Sequence, residues 1–441
     1  MRPSLTPTIC VIGTWHQGAV AAACLADLGF SVIGADPDPS LIAKLATGKA
    51  GVFEPGLDDL LARGIDSGNL RFTADLTSCC SGCPFVFIMF DTPVDEQDLS
   101  DLTGIFAALD AITPSLEPGV VLYVTAQVPV GTCDQIKTRI QKARPDLEFG
   151  IAYSPENLRL GQAIKVYREP LLPVLGSDQQ WVLESLEALF QPFHVQWHHV
   201  NLRTAEMTKH ALNSFLAAQI TLGNELGNLC DEVGADGARI AQLLRLEPRV
   251  GAKAMLMPGL AFSGGTIARD LQALRKLGDQ TACDTKFLDG IWESNKSQNH
   301  LVLRKIRKFL GADLTGQNVT VLGLTYKPGT STLRRSASLE IINDLVAAGL
   351  TVRAHDPKAD RDELKKIRGF TFFEDPYTAL KGARMAIILT GWPEYRDLDF
   401  QKVRAEMADS GFIDTQNMFV AEELTALGFV YMDIGRGRGA I

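Results

Sequence analysis

The chain has 441 residues, and 46% of them are hydrophobic, which is enough for two or three domains with sizeable cores. Its 43 basic and 52 acidic residues give a formal charge of -9, a balance that argues against an extended nucleic-acid surface. The first ten residues lack the apolar segment of a signal peptide, and no apolar run approaches the ~20 residues that span a bilayer. We therefore expect a cytoplasmic protein without a membrane or nucleic-acid partner.

The predicted elements fall into three segments along the chain. The first contains the β-rich runs TICVIG, FSVIGAD, PFVFIMF, VVLYVTA and EFGIAYS, separated by helical stretches. A long helical stretch begins near Asn201, and β-rich runs return near residue 318 with NVTVLGLTYKP, LTVRAHDP, MAIILTG and GFIDTQN. This alternation predicts an α/β protein with two Rossmann-like, doubly wound domains joined by a central helical domain. The expected boundaries are 1–200, 201–300 and 301–441.

The first βα turn, GTWHQG, resembles a dinucleotide-binding fingerprint with one glycine replaced. Gly13 and Gly18 supply the first and third glycines, whereas Trp15 stands where the second would let the backbone approach a pyrophosphate. Asp36 ends the second predicted strand, where a carboxylate accepts hydrogen bonds from ribose hydroxyls and favours NAD over NADP. By itself the turn fits an ordinary βα connection equally well. With the Trp15 ring turned away from the phosphates, its amides remain available and the indole N–H is a further donor.

The eight cysteines lie mostly in apolar or helical contexts, which is typical of free buried thiols. The segment CCSGC has no second Cys/His pair at zinc spacing. The sequence therefore predicts no metal site.

Eight ordered blocks carry a family resemblance: FEPGLDDLL, FDTPVDEQD, VPVGT, YSPENLRLG, AEMTKHALNSFLAAQITLGNEL, PGLAFSGGTIARD, LGLTYKPGTSTLRRS and ILTGWPEYR. With them the chain resembles the UDP-glucose / UDP-N-acetylmannosamine (nucleotide-sugar) dehydrogenase family over nearly its full length. The resemblance implies an N-terminal NAD domain, a central helical dimerisation domain that forms a homodimer, and a C-terminal UDP-binding domain. It also implies oxidation of the C6 alcohol of a UDP-sugar to a carboxylate in two NAD-dependent steps, through a cysteine-bound intermediate.

The same resemblance implies the catalytic residues. The block PGLAFSGGTIARD places Thr266 where the family has its nucleophilic cysteine, and it retains Asp270, which would orient a water or the reacting groups. Lys209 and Asn213 lie at i and i+4 on one predicted helix face and would stabilise the oxyanion and contact the substrate. Glu156 in SPENL would be the general acid/base. Without the resemblance, each of these would pass for a solvated helix face or a helix-terminus charge.

Further residues are assigned to ligands by the same alignment. Lys327 would meet the substrate diphosphate, and Arg249 would be contributed to the sugar site by the partner subunit. Phe262 and Gly264 belong to the substrate-binding block, and the cofactor set is completed by Thr92 and Arg334. Two departures from the family pattern are Gln127 in AQVPVGT, which replaces a threonine, and Gln416 in DTQN, which replaces an arginine.

Loss of the thiol limits the expected chemistry, because a threonine hydroxyl is far less acidic than a cysteine thiol and does not form a thioester. Two routes stay open: a single two-electron oxidation, or formation of the acid through a hydrated aldehyde. A third possibility is a catalytically silent nucleotide-sugar-binding protein with a regulatory or structural role. The substitutions favour it slightly, and the retained residues oppose it: Asp36, Lys209, Asn213 and Arg334.

Overall fold

The computed structural model describes residues 7–95, 99–262, 266–333 and 336–437. The chain consists of two compact units, Met1–Leu212 and Asn213–Ile441. In the described ranges, no helix has both the length and the apolar character needed to cross a membrane.

The first unit is built on an eight-stranded sheet. Its strands are β1 (Thr8–Ile12), β2 (Ser31–Ala35), β3 (Leu70–Thr73), β4 (Phe85–Ile88), β5 (Val120–Val124), β6 (Phe149–Tyr153), β7 (Val174–Gly176) and β8 (His198–Val200). They lie in the order β3-β2-β1-β4-β5-β6-β7-β8, and all neighbours are parallel except β6 and β7. The helices are α1 (Gln17–Asp27), α2 (Pro39–Leu45), α3 (Leu57–Asp66), α4 (Thr103–Ile112), α5 (Thr132–Ala143), α6 (Ala163–Arg168) and α7 (Gln180–Phe190).

The sheet of the first unit separates two apolar cores, as expected for parallel strands that are covered on both faces. Along β1, Ile9 and Val11 belong to one core, whereas Cys10 and Ile12 belong to the other. Helix α1 is buried from Gly18 to Ala26, and its small side chains let it pack closely against the sheet. This packing fixes the turn between β1 and α1.

A 32-residue helix, α8 (Leu202–Val233), continues from the first unit into the second. It is followed by the helices of the second unit's first part: α9 (Gly237–Leu244), α10 (Ile267–Thr281), α11 (Lys286–Asn299) and α12 (Leu301–Leu310). Asp236 caps α9, since its carboxylate accepts a hydrogen bond from the Arg239 backbone N–H at 2.9 Å.

The second unit also contains a six-stranded, fully parallel sheet in the order β11-β10-β9-β12-β13-β14. The strands are β9 (Asn318–Leu322), β10 (Thr351–His355), β11 (Phe370–Phe372), β12 (Met385–Ile388), β13 (Gly411–Asp414) and β14 (Val430–Met432). The accompanying helices are α13 (Ala337–Ala347), α14 (Arg361–Leu364), α15 (Pro376–Leu380), α16 (Phe400–Glu406) and α17 (Ala421–Ala426).

In both sheets the strand order reverses at the first strand, because β1 lies between β2 and β4 and β9 lies between β10 and β12. Such a switch point opens a crevice at the carboxyl ends of the strands, where doubly wound proteins bind their ligands. The predicted α/β architecture, with two Rossmann-like domains and a central helical region, is confirmed. The predicted domain boundaries and the dimerising role of the central helices stay predictions.

Candidate active site

The turn between β1 and α1 requires glycine at two positions. Gly13 has φ +85°, and a Cβ on it would lie 2.9 Å from the backbone nitrogen of Phe90. A Cβ on Gly18 would lie 1.9 Å from the carbonyl oxygen of Gly13. A side chain at either position therefore clashes with backbone. These contacts explain why Gly13 and Gly18 are retained although the middle glycine is not.

Asp36 follows β2, and its side chain binds the backbone of this turn. Its Oδ2 accepts a hydrogen bond from the Thr14 backbone N–H at 2.7 Å, and its Oδ1 accepts one from the Asp38 N–H at 3.0 Å. The side chain is largely buried. A carboxylate is thus held at the end of β2, beside the start of α1, as the sequence predicts.

Trp15 is followed by two residues that are anchored by their side chains. His16 Nε2 lies 3.4 Å from Oε2 of the buried Glu54, and Gln17 Nε2 donates to Thr125 Oγ1 at 2.9 Å. The Trp15 side chain is itself 48% exposed. The turn keeps its shape without a glycine at position 15, because its neighbours attach it to two other segments of the first unit.

Two sequence-predicted residues lie in the loops after β4 and β5. Thr92 is buried, and its hydroxyl donates to the carbonyl oxygen of Gln127 at 2.7 Å. Gln127, which replaces the threonine of the family pattern, is also buried, and its backbone carbonyl joins these two loops. The contact positions both loops at the end of the sheet where β1 meets its glycine turn.

The structure places Lys209 next to the loop that carries Glu156. The Lys209 side chain is 3% exposed, and its Nζ lies 3.5 Å from Asn157 Oδ1. Glu156 is partly buried and accepts a hydrogen bond from the Leu158 backbone N–H. Asn157 was missed by sequence reasoning, although it is the next residue after Glu156 in the SPENL block.

Glu206 is a second residue that sequence reasoning missed. It is fully buried on α8 and accepts hydrogen bonds from the backbone N–H groups of Gly131 at 2.5 Å and Cys133 at 2.8 Å, at the start of α5. Burial raises the pKa of Glu206. Burial also raises the pKa of the Cys133 thiol, with a contribution from Glu206, so this thiol is poorly suited to act as a nucleophile.

In the second unit, Asn213 and Asp270 form a buried pair in which the Asn213 amide donates to an Asp270 carboxylate oxygen. Asp270 lies in the first turn of α10. Thr266 is the residue that immediately precedes this helix, and its side chain is exposed. The structure thus brings together Asn213 and Asp270, which the sequence separates by more than fifty residues.

Two asparagines hold the PGLAF segment. Asn224 accepts from the Gly259 N–H at 2.8 Å and donates to the Leu260 carbonyl at 3.1 Å. Asn295 accepts from the Phe262 N–H and donates to the Phe262 carbonyl, both at 2.9 Å. Phe262 is therefore fixed through its backbone. Gly264 lies outside the described residues.

The second Rossmann-like domain repeats the strand–glycine–acid arrangement. Gly323 after β9 has φ +96°, and Asp356 after β10 is buried. Asp356 Oδ2 accepts from the Leu324 N–H at 2.7 Å, the Thr325 N–H at 2.9 Å, the Thr325 hydroxyl at 3.0 Å and Trp392 Nε1 at 3.1 Å. This carboxylate is occupied by the protein's own donors.

Comparison with known proteins assigns the family. Residues 7–194 match the NAD binding domain of the UDP-glucose/GDP-mannose dehydrogenase family, residues 203–297 its central domain and residues 320–421 its UDP binding domain. The chain belongs to this family. It is 34% identical to UDP-glucose 6-dehydrogenase TuaD of Bacillus subtilis (strain 168), over 97% of this chain and 93% of that protein. It is 33% identical to UDP-glucose 6-dehydrogenase of Rhizobium meliloti (strain 1021), over 97% and 99%.

A solved UDP-glucose dehydrogenase from Pyrobaculum islandicum superposes with a TM-score of 0.84 at 28% identity, covering 93% of this chain and 98% of that one. These matches confirm the expected family. They also confirm that the chain is an enzyme of the nucleotide-sugar dehydrogenase class and that its cofactor is NAD.

The glycine turn fits the NAD of this dehydrogenase family. Helix α1, which the structure describes in full, has no acidic residue in its first turn, so its N-terminal amides and dipole favour an anionic pyrophosphate. Gly13 and Gly18 bring backbone rather than side chains to that position, and Asp36 lies beside it.

The remaining predicted residues of this family member lie in the second unit. Lys327 is exposed in the loop after β9, and Arg249 is exposed and pairs with Glu247 at 2.9 Å. Gln416 Nε2 donates to the Leu389 carbonyl at 2.8 Å and so links the segments that follow β13 and β12. Arg334 lies outside the described residues.

Proposed function

We propose that this chain oxidises the C6 alcohol of a UDP-hexose with NAD, as a UDP-glucose 6-dehydrogenase-like enzyme. The buried Lys209 carries the proposal. In the described part of the chain, the one hydrogen bond of this ammonium is the 3.5 Å contact to Asn157 Oδ1, and its side chain is 3% exposed. A buried charge with so little compensation is costly unless a ligand oxygen completes its environment. A developing alkoxide supplies such an oxygen.

Each retained residue has a proposed role in the first oxidation. The turn at Gly13 and Gly18, together with Asp36, would hold NAD, which would accept the hydride. Glu156 takes the hydroxyl proton, and Lys209 stabilises the alkoxide as its charge develops. Asn213 contacts the substrate, in an orientation that Asp270 maintains through its hydrogen bond.

Thr266 sets the limit of the reaction. If it stands where relatives carry the nucleophile, no thioester forms, so the reaction stops at the aldehyde or reaches the acid through its hydrate. The test is stoichiometry: NADH formed per sugar consumed, with the product mass measured. One NADH and a carbonyl product supports the truncated reaction, whereas two NADH and a uronic acid supports the hydrate route.

Two further measurements decide the catalytic proposal. Absence of turnover with every UDP-hexose, despite UDP-sugar binding, contradicts the proposed substrate class. Calorimetry with NAD, run on the same protein, shows whether such a failure lies in the substrate or in the cofactor site. Thr266→Cys is the gain-of-function variant: four-electron oxidation in it supports the alignment.

We also propose a homodimer through α8. Phe215, Leu222 and Leu229 are each more than half exposed and recur every seven residues along this helix, so they share one face. Arg249 is exposed in the same unit, which suits the role of reaching a partner's sugar site. Light scattering after chromatography should give twice the chain mass for the wild type. The Leu222→Asp variant should have the mass of a single chain. An unchanged mass in Leu222→Asp would contradict this face.

A further inference from the structure

Three thiols from two distant segments meet in the core of the first unit. Cys10 lies on β1, and Cys79 and Cys80 lie in the segment between β3 and β4. Their sulfur atoms all lie within 4.8 Å of one another, and the Cys79 and Cys80 sulfurs are 3.7 Å apart. All three are free thiols and at most 4% exposed. The sequence shows only the adjacent Cys79 and Cys80 of the CCSGC segment, because Cys10 joins them through the fold.

The spacing of these sulfurs suits one bound ion better than a disulfide. With bonds of about 2.3 Å, three thiolates around one shared centre lie roughly 3.3 to 3.8 Å from one another, closest around a three-coordinate pyramidal centre and farthest around a tetrahedral one. The 3.7 Å between Cys79 and Cys80 lies within this range, and the other separations need to contract by about 1 to 1.5 Å at most. A disulfide requires the sulfurs to approach to about 2.05 Å.

The surroundings determine which kind of ion fits. The three thiols belong to an apolar core that includes Ile12, Ile33 and Val86, where a net charge is costly to bury. Three thiolates and a divalent ion would leave a charge of −1, whereas three thiolates and a trivalent centre are neutral. Soft sulfur ligands select soft partners.

We propose that Cys10, Cys79 and Cys80 form a binding site for one trivalent, thiophilic metalloid, for which arsenite is the probe. Arsenous acid, As(OH)₃, is uncharged and reacts with three thiols to give As(SR)₃ and three water molecules. Three As–O bonds are replaced by three As–S bonds, each thiol proton leaves in a water molecule, and no electron is transferred.

Cys83 provides the matched control. It lies in the same segment and is buried, but its sulfur contacts the carbonyl oxygens of Cys79 at 3.6 Å and Ser81 at 3.8 Å and is not part of the three-thiol cluster. Removing this thiol therefore leaves all three proposed ligands in place.

Native mass spectrometry of the reduced full-length chain tests the proposal. With arsenite, the wild type should gain one arsenic per chain with loss of three protons. Cys80→Ala should weaken binding by more than about tenfold, the range in which even outer contacts of a bound ion act, and Cys83→Ala should leave it unchanged. Absence of an adduct, retention of it in Cys80→Ala, or its loss in Cys83→Ala would overturn the site.

Two measurements on the wild type make the test independent of variant folding. Arsenite should protect Cys10, Cys79 and Cys80 from alkylation at moderate urea, as mapped on peptides, while Cys83 and Cys24 react at unchanged rates. Equal reaction of all five would refute the three-thiol site. The second measurement compares the binding of zinc with that of arsenite. Tighter binding of zinc would refute the inference that the apolar core favours a neutral, trivalent centre.

Discussion

Replacement of Asp36 by Asn tests the cofactor site most directly. The change keeps the side-chain shape and removes the charge at the end of β2. The carboxylate accepts hydrogen bonds from the Thr14 and Asp38 N–H groups, and we expect the ribose hydroxyls of NAD to add further donors. Hydrogen bonds to a charged group contribute about 1.5–3 kcal/mol. The Kd of NAD should therefore rise about 10- to 100-fold.

Asp356→Asn is the matched control, because Asp356 holds the corresponding place in the second Rossmann-like domain. Its Oδ2 already accepts four hydrogen bonds from Leu324, Thr325 and Trp392. The other oxygen, Oδ1, accepts from the Lys358 N–H at 2.8 Å, so the NH₂ group of an asparagine faces a donor in either orientation. Unfolding should therefore become easier by about 1–3 kcal/mol. NAD affinity should not change.

Calorimetry with NAD gives the Kd of each variant, and urea unfolding gives its free energy of unfolding. The two variants should separate: Asp36→Asn loses affinity for NAD, and Asp356→Asn loses mainly stability. Wild-type NAD affinity in Asp36→Asn would refute the cofactor role of that carboxylate. An equal loss of affinity in both variants would show that the effect reflects general damage to the fold.

Three further predictions concern the same unit. Gly18→Ala should destabilise the fold by about 2–4 kcal/mol in urea unfolding, because the new Cβ would lie 1.9 Å from the Gly13 carbonyl, whereas Gly104→Ala, with open space around it, should be nearly neutral. Trp15→Gly should clearly change the Kd of NAD in calorimetry, and an unchanged Kd would place Trp15 outside the site. Glu206 has a raised pKa, so the folded state holds its proton more tightly and this group's contribution to stability falls as the pH rises from the ordinary glutamate pKa through the raised one. Glu206→Gln should remove that slope from unfolding free energies measured against pH, and an identical slope in both proteins would contradict the assignment.

Much of the fold follows from local patterns in the sequence. The apolar runs around Val11 and Ile33 predict buried parallel strands, because strand burial is visible in a short stretch of sequence. The glycines of the first turn predict its geometry, because glycine readily adopts positive φ. The strand–helix alternation and its interruption between Asn201 and residue 318 likewise predict the two sheets and the intervening helices.

Two residues that sequence reasoning missed, Glu206 and Asn295, act on main-chain groups over long separations. Glu206 binds the backbone of Gly131 and Cys133, and Asn295 binds that of Phe262. Their partners are main-chain groups, which every residue carries, so no residue type at the far end of the contact signals the pairing. Helix spacing places such side chains on a face but does not say which backbone that face meets.

The two strand–glycine–acid turns show why a motif predicts geometry more securely than it predicts a ligand. Gly13 and Gly323 both have positive φ, and both acids accept hydrogen bonds from the turn beside them. Asp36 receives two such bonds from backbone N–H groups, one on each oxygen, whereas the Thr325 hydroxyl and the Trp392 indole also donate to Asp356. The capacity to bind a ribose therefore depends on how many donors the folded chain already supplies to the carboxylate. Those donors come from segments well away from the motif, so a sequence with both turns intact still needs the three-dimensional contacts to show which one is free to hold a dinucleotide.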